Sequence, residues 1–460
     1  MRTAIVRQRD GIQLRQTSAI GAPRRTAEFQ MRGRYFDTEP SNFARLHIRQ
    51  GPAKLTGPLC TVVCTLNNFR KSDRAYLLDY TRLRTIHTNE AGDPMTAVEA
   101  AQMLKEWAIY EGLIRGERPD PDYVPPPEVL EFSDRTATIL RPREVTFVGV
   151  NEHENQIIVF TRRAAPASKA QLEALPDELG GAQIVYRQGA AETIDINPVL
   201  PHTSPPYVVR TSVAGNGLYT CGSSISVGNF RDAGTFGAIV RDQAGDLFGL
   251  SNNHVTGSCS HSDVGLPILA PGVYDVAAGN IDPFTIGYHH ASLQMVTGTP
   301  GNVPATANTD AALFRLRDNL AITSFQGNSY DTPTAISAPT SGMTVEKVGR
   351  TTGSTIGRVL CQVTGFQTIT YNAPLYGFQG TVYYNCLYTV IGHGALFSDN
   401  GDSGSLVTTV DPATGMRKAV GLVVGGIQDN KAPGGKLTFI LPIEPILTGF
   451  NVTLVGAHNV

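Results

Sequence analysis

The sequence predicts an all-β domain in its C-terminal part, preceded by smaller α+β modules. From about residue 206 onward, short runs of Val, Ile, Thr, Tyr and Phe are separated by Gly, Asn, Asp and Pro, a spacing typical of a sandwich or barrel. The 460-residue chain contains 47 glycines and 29 prolines, which favours a turn-rich β protein. Charged residues make up only 17% of it, against about 25% in an average protein.

Charge density divides the chain. Residues 1–200 contain 26 basic and 25 acidic side chains, whereas residues 201–460 contain 12 and 15. Two proline-rich stretches, 119–127 and 198–206, favour extended backbone and are interpreted as linkers. The predicted domains are therefore a charged module with an amphipathic helix at 1–118, a small α/β module at 119–206 and a β domain at 207–460.

Hydrophobic periodicity locates the individual elements. For the first two modules it predicts helices from Met95 to Gly116 and from Ser168 to about Leu179, and strands at Glu144 to Val150, Gln156 to Arg162 and Ala182 to Arg187. For the third it predicts a closing helix from Ile443 to about Gly449 and strands at Gly234 to Arg241, Leu247 to Ser251, Ala311 to Leu316, Thr344 to Gly349, Gly357 to Val363, Thr381 to Val390, Ser405 to Val410, Ala419 to Gly425 and Lys436 to Leu441.

Charge and composition exclude several classes of protein. The net charge is −2 and no apolar run approaches the ~18 residues of a membrane span, so neither a membrane protein nor a strongly basic nucleic-acid binder is expected. Arginines interrupt the N-terminus, which predicts no signal peptide and a cytoplasmic location with reduced cysteines. Cys60 and Cys64 lack a second ligand pair, so no metal or other cofactor is expected.

The strongest chemical signal lies in residues 400–407, where Ser403 stands between glycines just before an apolar run. A serine hydroxyl is a weak nucleophile that needs a nearby base and donors for the oxyanion it creates. Flanking glycines would let the backbone turn tightly, expose the hydroxyl and aim the N–H groups of Gly401 and Ser403 at one point. Ordinary turns also contain this short pattern.

The full string Gly-Asp-Ser-Gly-Ser at 401–405 resembles the nucleophile motif of the chymotrypsin-like (trypsin-fold) serine peptidases. The resemblance implies an all-β double antiparallel barrel with its site in the cleft and a triad ordered His, Asp, Ser. His254 in Ser-Asn-Asn-His-Val and Asp310 in Asn-Thr-Asp-Ala-Ala-Leu match the other two motifs. Each residue alone could also have an ordinary structural role: the aspartate as a turn cap, the histidine as a core residue, and the serine as a loop residue.

The resemblance implies a serine endopeptidase in which Ser403 attacks, His254 is the general base and Asp310 orients it, with Gly401 and Ser403 as the oxyanion hole. A neutral base predicts that activity falls below about pH 6–7. The remaining histidines considered as bases are interpreted as loop residues, namely His261, His289, His290 and His393.

Residues 348–359 are similar to a segment of the bacterial trypsin-like peptidases. Residues 219–224, 233–237 and 251–255 resemble the narrow-leaf-1-like group, which implies an intracellular, regulatory and selective protease. Two features depart from secreted enzymes. Val255 stands where a disulfide cysteine would follow the histidine, so Cys259 is expected to be a buried thiol. No Ile-Val-Gly-Gly type N-terminus precedes the barrel, so nothing in the sequence supplies the terminal amine that would pair with Asp402.

By the same resemblance, Phe397 lines the specificity pocket, and a strand containing Val424, Gly425 and Gly426 pairs with the substrate backbone. Phe397 favours an uncharged P1 side chain, although Asp399 nearby could add negative charge. The expected partners are a protein or peptide substrate and a regulatory protein bound through residues 1–200, with homo-oligomerisation left open. The alternative function is a catalytically silent scaffold or binding protein.

Overall fold

The computed structural model describes residues 95–130, 133–195, 207–212, 214–228, 230–278, 283–317 and 321–460. The basic N-terminal segment, Cys60, Cys64 and the second proline-rich stretch lie outside the described residues. Within those ranges, no helix combines the length and the apolar composition that crossing a membrane requires.

The described residues form a β-rich structure with few helices. The five α-helices are α1 Ala97–Tyr110, α2 Pro127–Leu130, α3 Ser133–Leu140, α4 Lys169–Leu172 and α5 Ile443–Phe450. The strands are β1 Val145–Asn151, β2 Gln156–Thr161, β3 Glu178–Leu179, β4 Ala182–Gln188, β5 Ala190–Ala191, β6 Ile194–Asp195, β7 Val209–Thr211, β8 Gly217–Cys221, β9 Ser224–Val227, β10 Gly234–Thr235, β11 Ala238–Arg241, β12 Leu247–Ser251, β13 Pro267–Ala270, β14 Phe284–Ser292, β15 Ala312–Leu316, β16 Ile322–Gln326, β17 Tyr330–Asp331, β18 Thr344–Gly349, β19 Gly353–Val363, β20 Phe366–Ala373, β21 Phe378–Asn385, β22 Tyr388–Gly392, β23 Leu406–Val410, β24 Arg417–Gln428, β25 Lys436–Pro442 and β26 Thr453–Leu454.

The C-terminal half of the β domain is a closed six-stranded barrel. Its strands follow one another in the order β18, β23, β24, β25, β22 and β19, and β19 pairs again with β18 to close the ring. All of these pairings are antiparallel. Alternating side chains such as Val345 and Val359 fill the interior, so this barrel is a packed core rather than a channel.

The N-terminal half of the β domain is a curled antiparallel sheet, in the order β10, β9, β13, β14, β15, β12, β11 and β26. Strands β17, β16, β8 and β7 of the same half form a smaller, separate sheet in that order. One hydrophobic cluster extends through the sheets of both halves and includes Phe236, Phe314 and Phe439. The domain thus has the double-barrel architecture that the sequence predicted.

Residues 95–195 add a layer to the second barrel. Strands β1, β2, β4 and β3 extend its sheet through antiparallel pairing of β1 with β19, so these strands and the barrel share one sheet. Helix α1, which begins at a Thr96 capping box, packs Leu104 and Trp107 against this extension. Its Lys105 donates to the carbonyl of Phe366 at 2.9 Å, which ties the helix to β20.

Several predicted elements are confirmed, and some are wrong. Strands β12 and β18 have the predicted bounds, whereas the helix predicted from Ser168 is only α4, because the chain turns into β3. The single strand predicted from Thr381 to Val390 is two strands, since Cys386 between them has a left-handed φ of 64°. The region predicted as Gly234 to Arg241 likewise divides into β10 and β11.

Candidate active site

His254 and Asp310 come together because they lie at the same end of one antiparallel strand pair. Strand β12 ends at Ser251, which pairs with Ala312 at the start of β15. His254 follows β12 on a one-turn helix, Asn253–Gly257, and Asp310 precedes β15 by two residues. Antiparallel pairing therefore makes neighbours of two residues that lie far apart in the sequence.

Asp310 holds His254 by its backbone and its ring. His254 Nδ1 lies 2.5 Å from Asp310 Oδ2, and the His254 backbone N–H donates to Oδ1 at 2.9 Å. Both side chains are buried, with 5% and 0% of their surface exposed. A carboxylate at Nδ1 favours the tautomer with its proton on Nδ1, which leaves Nε2 free to accept a proton.

A buried tyrosine pair supports the carboxylate. Tyr371 on β20 donates its hydroxyl to Asp310 Oδ2 at 3.0 Å and lies 2.8 Å from the hydroxyl of Tyr384 on β21. Burial, with added repulsion from Asp310, raises the pKa of Tyr371 well above its usual value, so the phenol stays protonated and acts as a donor. The sequence analysis missed both tyrosines because the β20–β21 hairpin was not predicted as a unit.

Ser403 lies in the loop before β23, where the second barrel faces the first. Its carbonyl accepts from Thr235 N at 2.9 Å, and the carbonyl of Thr235 accepts from Ser251 Oγ at 2.8 Å. These two bonds link the serine loop to the end of β12, three residues before His254. Ser403 is half-buried, and among the described residues its hydroxyl makes no hydrogen bond.

Hydrogen bonds from side-chain hydroxyls to two backbone carbonyls orient two peptide groups of this loop. The Asn400 carbonyl accepts from Thr351 Oγ1 at 2.6 Å, and the Asp402 carbonyl accepts from Ser405 Oγ at 2.6 Å. In a trans peptide the N–H points opposite to the C=O, so the N–H groups of Gly401 and Ser403 point away from those partners. Neither N–H donates to any described residue, and this leaves two free donors beside Ser403.

A buried lysine fixes the loop from beneath. Lys347 Nζ lies 3.1 Å from Asp402 Oδ2, and both side chains are fully buried. Asp402 also accepts from the backbone N–H of Thr351 at 2.7 Å and of Asp399 at 2.9 Å. Burial lowers the pKa of Lys347, and attraction to Asp402 opposes this shift. Asp402 thus has an internal cation where the sequence analysis found no terminal amine.

A second buried ion pair connects the loop to the first half of the domain. Arg350 Nε donates to Asp275 Oδ2 at 2.9 Å, and Arg350 Nη1 donates to Thr351 Oγ1 at 2.9 Å. Thr351 in turn donates to the Asn400 carbonyl. Gly401 has a φ of 97°, and a Cβ there would lie 2.5 Å from Thr351 Oγ1, so this position requires glycine.

The predicted substrate residues differ in placement. Phe397 is 1% exposed and packs in the core of the second barrel against residues such as Val345, so the prediction that it lines a specificity pocket is not supported by its position. Val424 is also buried, whereas Gly425 is half-buried. The carbonyl of Gly426 accepts from Glu192 N at 2.9 Å, so the edge of β24 is already paired with another part of the chain.

Among the described residues, none of the four histidines considered as alternative bases hydrogen-bonds to Asp310 or Ser403. His289 and His290 lie on β14 rather than in a loop, and their opposite orientation makes the first buried and the second exposed. His261 and His393 lie in turns or bends, as predicted. In the described ranges no cluster of three metal-ligating side chains occurs. Cys259 is a buried free thiol, as predicted, and burial raises its pKa.

No model of a known protein family and no curated protein matches the chain. Solved bacterial proteases are similar to it. Protease A of Thermobifida fusca is 22% identical, with 52% of this chain and 98% of that chain covered and a TM-score of 0.34. The Nocardiopsis protease NAPase is 20% identical over 51% and 97% of the chains, with a TM-score of 0.33. A chymotrypsin of Cellulomonas bogoriensis is 18% identical over 51% and 97%, with a TM-score of 0.32.

The domain combines a closed six-stranded antiparallel barrel with a curled antiparallel sheet. The fold is the trypsin-like double barrel that the sequence predicted. Its two halves contribute the His254–Asp310 pair and the Ser403 loop respectively, in the chain order that the motifs predicted. The narrower resemblance to the narrow-leaf-1-like group stays a prediction.

Proposed function

We propose that residues 207–460 form a serine endopeptidase domain that hydrolyses peptide bonds through an acyl-enzyme. Ser403 Oγ attacks the scissile carbonyl carbon while His254 Nε2 takes the hydroxyl proton. The tetrahedral oxyanion accepts from the N–H groups of Gly401 and Ser403. His254 then gives its proton to the leaving amine. Water next attacks the acyl carbon while His254 takes its proton, and His254 returns that proton to Ser403 Oγ as the ester bond breaks and the acid product leaves.

The observation that carries this proposal is the combination of two independent features, one in each half of the domain. Asp310 leaves His254 Nε2 as an acceptor, and the carbonyls of Asn400 and Asp402 are bound so that two N–H groups beside Ser403 remain free. Removal of a single oxyanion donor costs roughly 10²–10³ in kcat in serine proteases, so a fold gains little from this arrangement unless an oxyanion forms there.

Labelling with a fluorophosphonate probe tests the proposal, because the probe reacts only with an activated serine. We expect the full chain to be labelled and the Ser403→Ala and His254→Ala variants not to be. The intact mass of each protein would reveal self-cleavage. Equal labelling of the wild type and Ser403→Ala would contradict the assignment of Ser403.

A catalytically silent scaffold is the second candidate function. It is favoured by the hydroxyl of Ser403, which makes no hydrogen bond among the described residues, and by the pairing of Gly426 with Glu192. Hydrogen bonds between nucleophile and base are often long without substrate, which weakens the first of these points. A folded wild type that no fluorophosphonate labels would favour the scaffold over the enzyme.

We also propose that the enzyme is regulatory and selective rather than digestive. The support is the same occupied strand edge, since a general protein substrate must displace it. The expected result is poor cleavage of casein by the full chain. Broad digestion of casein, under conditions where the chain stays intact by mass, would contradict this part of the proposal.

A further inference from the structure

The outer edge of β24 pairs in succession with β23, with the serine loop and with β5. Up to Leu422 it pairs with β23. At Val423 it bonds the serine loop, through Gly404 N to the Val423 carbonyl and Val423 N to the Ser405 carbonyl, each at 3.0 Å. Farther along the same edge, Ile427 and Gln428 pair with Ala191 and Ala190 of β5.

Residues 190–194, here called the strap, run along this edge toward Ser403. The pairing with β24 is antiparallel, so the strap passes Gln428 first and Gly426 later, and its C-terminal end approaches the serine loop. Ile194 then pairs in parallel with Tyr371, whose hydroxyl bonds Asp310. A peptide bound for attack by Ser403 on this edge would need the same direction and the same backbone hydrogen bonds.

The strap has side-chain anchors as well as backbone bonds. Glu192 Oε2 lies 2.6 Å from Lys436 Nζ, and Lys436 also lies 3.0 Å from Asp399 Oδ1, close to the oxyanion loop. Burial opposes the charge on Lys436, but attraction to Glu192 and Asp399 outweighs it and raises the pKa of Lys436. The lysine is therefore a partly buried cation that carboxylate partners stabilise.

The two glycines of the edge make room for these contacts. A Cβ on Gly426 would lie 2.2 Å from Lys436 Cε and 2.8 Å from Glu192 Oε2. A Cβ on Gly425 would lie 3.3 Å from Ile194 Cδ1. A cavity of about 430 Å³ borders the strap at Glu192 and Thr193 and reaches Asn400 of the oxyanion loop. The edge therefore fits an extended chain with a carboxylate above Gly426.

We propose that the strap occupies the edge of β24 on which a peptide substrate binds, and that the site selects extended peptides with a carboxylate at the position of Glu192, bound by Lys436. The inference rests on the proposed function, which identifies this edge as the substrate side of Ser403. The full chain is then inactive toward long peptides until the strap leaves the edge of β24. The peptides that the site prefers should resemble the chain's own sequence around Glu192.

Direct binding tests the strap without relying on turnover. The probe is a fluorescein-labelled synthetic peptide with the sequence of residues 188–195, titrated by anisotropy against full-length Ser403→Ala protein. Glu192→Pro in that background removes the N–H that bonds Gly426 and the carboxylate that bonds Lys436. Glu192→Ala is the matched control, because it loses the carboxylate and keeps the N–H.

We expect the Glu192→Pro protein to bind the peptide at least about tenfold more tightly than the parent, and Glu192→Ala to lie between them. A peptide with Gln in place of Glu should bind the Glu192→Pro protein about fivefold more weakly, and Lys436→Met should abolish that difference. Equal affinity of all folded variants would overturn the strap, and equal affinity for the Glu and Gln peptides would overturn the carboxylate preference.

Separate measurements report on the folding of the variants and on their activity. Circular dichroism and thermal unfolding report whether Glu192→Pro folds; if it does not, Glu192→Lys replaces it, since repulsion from Lys436 expels the strap while the N–H remains. Fluorophosphonate labelling of the same variants with Ser403 intact reads the proposed function. Labelling without a change in peptide binding overturns the strap alone, whereas tighter binding without labelling supports the strap and contradicts the enzyme.

Discussion

The catalytic groups and the substrate edge are organised in opposite ways. Around Ser403 two groups of the loop are fixed by buried partners, the Asp402 carboxylate by Lys347 and the Asn400 carbonyl by Thr351. Beside it, the edge of β24 is paired with residues from much earlier in the chain. Under the proposed function, the chemistry is thus assembled in the resting chain, while access to it depends on displacement of the proposed strap.

The largest expected effect concerns the catalytic half of this comparison. Asp310→Asn should lower kcat by about 10⁴-fold, because an amide nitrogen cannot accept from Nδ1–H and an amide oxygen only partly replaces the carboxylate. The rate of fluorophosphonate labelling measures the effect with no need for a known substrate. A loss of less than tenfold would show that Asp310 is a structural residue and that His254 is oriented by something else.

The buried ion pair beneath the loop should give the next largest effect. Lys347→Met leaves the Asp402 carboxylate buried without its cation, which should lower the free energy of unfolding by about 3–5 kcal/mol. Distortion of the oxyanion loop should lower kcat roughly 10²–10³-fold. Urea denaturation and the labelling rate measure the two quantities.

The double variant Lys347→Met/Asp402→Asn is the matched control, since it removes both charges. It should recover most of the stability but little of the activity, because Asp402 would no longer hold the N–H groups of Thr351 and Asp399 as strongly. Full recovery of both would contradict a positioning role for Asp402.

The sequence predicts the proposed catalytic groups from local signals. Ser403, His254 and Asp310 each lie at the end of an apolar strand within a short motif, and strand pairing alone makes His254 and Asp310 neighbours. Lys347 was missed although a signal existed. It follows Val345 by two residues in a strand, which places the lysine on the core face. A lysine on that face requires a buried partner.

The strap on the proposed substrate edge could not be predicted, because it depends on pairing across a long separation in the sequence. Nothing in residues 190–194 indicates which edge they join, and a two-residue strand such as β5 has no periodicity to detect. Phe397 was assigned from its distance before Ser403, but a large apolar side chain gains more from the barrel core than from an open pocket. Register along a strand does not determine which side chains stay accessible.

Activity should also fall at high pH, because the oxyanion loop depends on the charge of Lys347. The pKa of Lys347 is lowered from 10.5, so deprotonation should remove the cation beneath Asp402, and kcat/KM should fall about tenfold per pH unit, beginning below pH 10.5. The unfolded chain keeps this proton up to a higher pH than the folded chain, so the contribution of Lys347 to the free energy of unfolding rises with pH in this window.

Loss of activity without loss of stability would therefore distinguish this titration from alkaline unfolding. Lys347→Arg is the control, because a guanidinium stays charged throughout the range and should move this fall in activity to higher pH. If activity in Lys347→Arg falls at the same pH as in the wild type, the titrating group is not Lys347.

The smallest expected effect comes from the tyrosine behind Asp310. Tyr371→Phe removes one of three hydrogen bonds to that carboxylate and leaves both bonds to His254 in place. Loss of one bond to a charged acceptor is worth about 1–2 kcal/mol, so kcat/KM should fall roughly 5- to 30-fold. Tyr384→Phe should have less effect, since its hydroxyl contacts Tyr371 rather than Asp310. Equal losses in the two variants, measured by labelling rate, would mean that the tyrosine pair acts as a packed unit and that its bond to Asp310 has no separate role.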